Sequence, residues 1–243
     1  MKQSTLNIGR ILVWFSCGAA SAVAAKLAVD AHKGEDVEVL YCDTLKYEHP
    51  DNSRFMMDVE KWIGMEIKLL KSPKFSDIMD VFEKEQFIVG VKGAACTRAM
   101  KRNVRLAYQS ASDVHVFGFT SDEQDRIESF ERDNPNLNLE WVLRDAGVTK
   151  QDCYRIVQEA GIKLPEMYLL GYGHNNCIGC VKGGAGYWNK VRKDFPSDFQ
   201  RMATMERKVG ARILKRYFLD ELPEGSGRYV PEKIECGTGC SRG

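Results

Sequence analysis

Short apolar runs that alternate with helical segments constrain this 243-residue chain more than any other feature. Residues 11–15, Ile-Leu-Val-Trp-Phe, are apolar without a break, which reads as a buried strand. A turn of small residues follows, Ser16-Cys17-Gly18-Ala19-Ala20-Ser21, and then an Ala-rich helix over about 22–32 that ends near Gly34. Further strands are expected at 37–42, 65–70, 114–119 and 139–143. Between them, Asp51 can cap a helix that stops at Gly64. Helical pattern covers 76–85 and 95–109, and Ser121-Asp122-Glu123 is an acidic helix start. This order predicts an α/β fold: a doubly wound, mainly parallel five-stranded sheet with helices on both faces. Ligands of such sheets bind at the carboxyl ends of the strands, near the reversal of strand order. Three turns occupy those places, at 16–21, 43–49 and 118–126.

The strand signal fades after about residue 145. Thr149 and Asp152 form a capping-box pattern for a helix that Gly161 closes. A Cys- and Gly-rich loop spans 171–186, and Ser197 with Gln200 opens a long helix to about Leu222. From Pro223 the chain is rich in Gly and Pro and is expected to be mobile. The expected division is therefore 1–145 as the α/β nucleotide-binding domain, 146–222 as a helical metal-binding region packed on it, and 223–243 as a Cys-containing tail. No internal repeat is visible.

Lys and Arg number 35 against 34 Asp and Glu, so global charge argues for neither a nucleic-acid nor a membrane partner. No apolar run is long enough to span a bilayer, and residues 1–10 lack the apolar core of a signal peptide, which leads to a cytoplasmic expectation. In a reducing compartment, eight cysteines point to metal binding or redox chemistry rather than disulfides. Cys42 ends an apolar run and reads as a small buried hydrophobe.

The turn at 16–21 has the composition of a phosphate cradle. Small residues let backbone N–H groups approach an anion, the helix N-terminus adds favourable partial charge, and Ser16 and Ser21 carry hydroxyls. A tight packing turn would need the same small residues. A Walker A loop is excluded because the Gly-Lys-Ser/Thr ending is missing. Asn176-Cys177-Ile178-Gly179-Cys180 is the strongest local signal: two thiolates two residues apart can converge on one metal or cluster. A dithiol redox pair is the other reading, although the thioredoxin-like strand–helix context is missing. Arg98, Lys101, Arg102 and Arg105 recur at helical spacing beside Cys96, as an anion-binding or a solvated cationic face. Lys182 follows the Cys-x-x-Cys as a further anion contact, and His174 reads as a surface loop residue, with a metal ligand as the alternative.

Ser16-x-Gly18-x-x-Ser21 after the first strand resembles the PP-loop of the phosphoadenosine-phosphosulfate (PAPS) reductase and adenine-nucleotide alpha-hydrolase superfamily. Many ATP-using members have Ser-Gly-Gly-x-Asp-Ser; here Cys17 and Ala20 replace the Gly and the Asp. Asp43-Thr44 after the second strand and Gly118 through Arg126 continue the likeness. The resemblance implies an adenine nucleotide held by Ser16, Cys17, Gly18, Ala19 and Ser21, with Asp43 and Thr44 beside it. Ala95-Cys96-Thr97-Arg98-Ala99-Met100-Lys101 resembles the Cys-Cys-x-x-Arg-Lys segment of iron–sulfur adenylylsulfate reductases, with Ala95 in place of the first Cys. By that likeness Cys96 joins Cys177 and Cys180 on a 4Fe–4S cluster. Either the fourth position is open or Cys153 fills it. Zinc is the alternative metal, since spacing alone does not separate the two.

The resemblance implies an oxidoreductase that reduces PAPS or adenylylsulfate to sulfite, with Arg98 and Lys101 on the sulfate. Ile234-Glu235-Cys236-Gly237 resembles the family's Glu-Cys-Gly segment and makes Cys236 the nucleophile, although Thr238-Gly239-Cys240 stands where Leu-His is usual. The implied partners are the nucleotide and a thiol electron donor such as thioredoxin; a homo-oligomer is left open. The alternative is an ATP-dependent iron–sulfur sulfurtransferase that thiolates tRNA or DNA. A non-catalytic nucleotide- and redox-sensing protein is a third class.

Overall fold

The computed structural model describes residues 9–91 and 93–229. In chain order the elements are β1 (Ile11–Phe15), α1 (Ala19–Ala31), β2 (Val37–Cys42), α2 (Asp51–Ile63), β3 (Ile67–Leu70), α3 (Ile78–Glu85), β4 (Val89–Gly90) and β5 (Gly93–Ala94). Then come α4 (Ala95–Thr97), a π-helical turn (Arg98–Arg102), α5 (Asn103–Tyr108), β6 (Val114–Phe117), α6 (Gln124–Asp133), β7 (Asn138–Glu140) and α7 (Val142–Asp145). The last are α8 (Lys150–Glu159), α9 (Glu166–Leu169), α10 (Ala185–Asp194) and α11 (Pro196–Val209). The chain divides into two compact units. One comprises Met1–Tyr41, Phe55–Leu70 and Leu106–Leu164; the other comprises Cys42–Arg54, Lys71–Arg105 and Pro165–Gly243.

The first unit is built on the expected five-stranded parallel sheet, in the order β3-β2-β1-β6-β7. Strand β1 is central and buried along its whole length, which is why its sequence is apolar without alternation. Val13 pairs with Val39 on one side and Val116 on the other. From β1 the order runs outward through β2 to β3, then returns to β6 on the opposite side of β1. The order therefore reverses between β1 and β6, and their carboxyl ends flank the switch point. Helix α1 packs against β1, β6, α7 and α8. Its buried Ala19, Ala22, Ala24, Ala25 and Ala28 permit that closeness.

Several expected ends move, two of them for reasons the contacts show. The fifth strand stops at Glu140, because Trp141 turns inward, stacks on Phe119 at 5.3 Å and donates to Glu131 Oε1 at 2.7 Å. In the second unit α11 stops at Val209 rather than near Leu222. Gly210 takes a left-handed φ of 69°, and the buried Glu206 carboxylate draws the chain back by accepting the N–H groups of Ile213 and Leu219, each at 2.5 Å. Nor does Ser197 cap α11: Phe195 is the cap residue and Pro196 opens the helix. The Thr149–Asp152 capping box is present, with both reciprocal bonds.

Candidate functional site: a switch-point turn and a three-thiol pocket

The turn at the switch point is closed by its own hydroxyls. Ser21 Oγ accepts from the Ser16 N–H at 3.1 Å and donates to the Gly18 carbonyl at 2.9 Å; Ser16 Oγ lies 3.2 Å from it. Between them Cys17 is buried at a φ of 57°, a left-handed conformation uncommon for a side-chain-bearing residue. Such strain persists where the surroundings over-determine it. Gly18 is the N-cap of α1 and supplies no side-chain cap, so the helix's first N–H groups face the turn without one. Gly118, just past β6, meets this turn by backbone: a Cβ there would lie 2.7 Å from both Cα and N of Ser21. The loop beyond is knitted internally. Glu123 accepts from the N–H and Oγ1 of Thr120 at 3.0 Å each and from Arg126 at 2.7 Å. Burial pushes the Glu123 carboxyl up, but Arg126 and the Thr120 donors outweigh it and hold it below its ordinary value.

Cys153 also belongs to the first unit. It is fully buried on α8, and burial reinforced by Asp152 and Asp122 pushes its thiol up to about 12.

In the second unit, Cys96, Cys177 and Cys180 line one pocket. Ile78, Phe82 and Met202 provide apolar wall, and Lys182 the positive charge. Cys96 and Cys177 are half-buried and Cys180 is buried. Among the described residues, no three His, Cys, Asp or Glu side chains converge closely enough to hold a metal ion. The donor chemistry nonetheless suits a soft metal or an iron–sulfur cluster: three thiols from segments about eighty residues apart in sequence share one largely apolar wall.

The Cys-x-x-Cys loop is held from both sides. Gly179, at a φ of 76°, makes its reversal. The Ile178 N–H donates to the Tyr47 carbonyl at 2.7 Å. The fully buried Tyr187 hydroxyl accepts from the Cys180 N–H at 2.9 Å and makes a long bond, 3.5 Å, to the Cys177 carbonyl. A buried polar relay runs alongside. Thr44 Oγ1 donates to Glu48 at 2.6 Å, Asn52 Nδ2 to the other Glu48 oxygen at 2.7 Å, and Asn175 Nδ2 to Asn52 Oδ1 at 2.8 Å. Asp43 shapes the same segment by accepting the Leu45 N–H at 3.3 Å.

The cationic helix splits by burial. Arg98 is exposed and ion-paired with Glu85, whereas Lys101 and Arg105 are buried, so the solvated-face reading does not hold for those two. Burial, with repulsion from Arg102, lowers Arg105 to about 10. Cys42 is buried as expected, its thiol raised to about 12 by burial. His174 corrects the sequence reading: it is buried, and its Nδ1 accepts from the Asn176 N–H at 3.4 Å. Cys236 and Cys240 lie outside the described residues.

Sequence reasoning missed Tyr187, Glu48 and Asn52. Tyr187 follows Cys180 by seven residues, in Lys182-Gly183-Gly184-Ala185-Gly186-Tyr187, and the one available signal was Gly183, whose Cβ would sit 2.0 Å from the Tyr187 ring. No model of a known protein family matches this chain, and no curated protein matches it either.

Proposed function

We propose that this chain is an enzyme of the PAPS reductase kind, reducing an adenylylated sulfate to sulfite, with an iron–sulfur cluster on Cys96, Cys177 and Cys180. The observation that carries the reading is the pocket that gathers those three thiols. A cluster bound there supplies a charged, redox-active centre to the thiol pocket. The adenine nucleotide is assigned to the turn of Ser16, Cys17, Gly18, Ala19 and Ser21, supported by its place at the switch point and by the uncapped start of α1. Asp43 and Thr44 are assigned to the same ligand, and Arg98 and Lys101 to the sulfate.

In this reading the Cys236 thiolate attacks the sulfate sulfur, and the S–O bond to the nucleotide phosphate breaks. The adenosine phosphate leaves with the electron pair, and an S-sulfonate forms on Cys236. A thiol donor of the thioredoxin type then attacks Cys236 Sγ. Sulfite leaves, and the donor and Cys236 are oxidised to a mixed disulfide, which the donor's second thiol resolves.

The second reading, an ATP-dependent sulfurtransferase acting on tRNA or DNA, is favoured by one observation: the pocket is lined by three cysteines, and a cluster that Cys96, Cys177 and Cys180 would hold there would supply sulfur-transfer chemistry. Anaerobic incubation with PAPS, adenylylsulfate or ATP separates the two. Sulfite with an adenosine phosphate marks the reductase; pyrophosphate release from ATP in the presence of tRNA or DNA marks the transferase. Loss of sulfite release in Cys236→Ser, with nucleotide binding retained, identifies the nucleophile. Full activity in that variant excludes it.

A further inference from the structure

We propose that Tyr187 is a positioning residue for the Cys177/Cys180 pair, its hydroxyl tying the backbone of the Cys-x-x-Cys loop into one turn so that less of the loop has to be ordered when a metal binds; this rests on reading the thiol pocket as a metal site. A Cys-x-x-Cys segment without support samples many backbone shapes, and closing it on a metal costs the entropy of ordering those residues. Here the Tyr187 phenol bridges the first and last residues of the motif, accepting the Cys180 N–H at 2.9 Å and reaching the Cys177 carbonyl at 3.5 Å. The bridge ties the two cysteines' backbones through one rigid ring.

The ring itself has little freedom. It is fully buried, packs edge-on to Trp188 at 5.7 Å and Tyr172 at 5.9 Å, and lies over the space that any side chain at Gly183 would occupy. Trp188 in turn stands 3.1 Å from where a Cβ of Gly179 would be, so the turn of the motif and the ring that braces it share one wall. Hydrogen bonds that orient metal ligands typically contribute 10–100-fold in metal affinity.

The test uses the full chain, reduced and stripped of metal, titrated anaerobically with Cd²⁺ and followed by thiolate-to-metal charge-transfer absorbance. Tyr187→Phe keeps the ring and removes the bridge. It should bind Cd²⁺ about 10–100-fold more weakly. Tyr172→Phe, which removes another buried hydroxyl, one bonded to Asp194 at 3.0 Å, should bind within about 2-fold of wild type. Equal affinity in Tyr187→Phe and wild type, an equal loss in Tyr172→Phe, or no Cd²⁺ binding by wild type would each overturn the proposal. Amide exchange in the metal-free wild type gives a check that needs no variant. The Cys180 N–H should be protected, and exchange at open-loop rates would also overturn it. If wild type binds Cd²⁺ through these thiols but carries no iron when purified anaerobically, the cluster reading fails while the role of Tyr187 stands.

Discussion

The switch-point turn and the thiol pocket are built from opposite materials. Around Ser16–Ser21 two serine hydroxyls tie the turn, but its walls are backbone: Gly18 opens the helix without a side-chain cap, and Gly118 admits the Ser21 backbone. Around Cys177–Cys180 they are made by side chains: three thiols, a tyrosine hydroxyl and a Glu–Asn–Asn relay. A backbone site tolerates side-chain exchange but not added bulk. A side-chain site tolerates little exchange, because each deletion leaves a buried partner unmet. The two regions should therefore fail under different substitutions, and the variants below test that contrast.

The largest effect is expected in the side-chain region. Cys177→Ser or Cys180→Ser should abolish the visible absorbance and the iron and sulfide content of protein purified without oxygen. A colourless wild type with stoichiometric zinc would break the cluster reading outright. Cys153→Ser should leave the absorbance intact if three thiols suffice. In the backbone region, Gly118→Ala forces a methyl against Ser21 and should lower stability by about 1–3 kcal/mol, read as a shifted urea midpoint. Gly18→Val should weaken nucleotide binding in a protein that remains folded. Unchanged affinity for PAPS and ATP in that variant rules the turn out as the site.

Asn52→Ala sharpens the contrast. It strips one bond from Glu48 and one from Asn175, for a loss of about 1–3 kcal/mol, and should speed iodoacetamide labelling of Cys177 several-fold. Cys42 and Cys153, buried with thiols near 12, should stay unlabelled in the folded protein at pH 8. The smallest effect concerns acid. The Glu123 carboxyl is held below its ordinary value in the folded state, so it stabilises the fold above about pH 4.5 and that contribution is lost as pH falls through the lowered value. Glu123→Gln should flatten that part of the acid limb, and an unchanged slope would show that the Arg126 pair is idle.

The sheet was legible because its signal is local. Residues 11–15 are an apolar run and 37–42 an apolar segment broken only by Glu38, their limits match β1 and β2, and the Thr149 capping box is written in four consecutive residues. The cysteine pattern was legible for the same reason. What escaped was carried by partners remote in sequence. Glu48 and Asn52 look like surface helix-start residues until Asn175, 123 positions beyond Asn52, completes the relay. His174 looked like a loop residue because nothing nearby shows that Tyr187 packs over it at 5.8 Å. The overlong α11 had a related cause: Gly210 was visible, but the Glu206 carboxylate that gathers the chain behind it was not.

The π turn at Arg98–Arg102 has a consequence for register. A helix of this type holds one residue more than an α-helix of the same rise, so it acts as a phase shifter between its two ends. Cys96 stands before the turn, and Arg105, buried like Lys101, stands after it. Deleting one residue within 98–102 would let the segment relax to a plain α-helix with the bearing of Cys96 relative to Arg105 nearly kept, whereas winding all five residues as an α-helix would turn Cys96 by about 100° relative to Arg105. With five residues between them, the thiol and the buried guanidinium hold their present bearings only while the turn stays π-wound. A change that forces α geometry on this turn should therefore be more damaging than the loss of one residue from it.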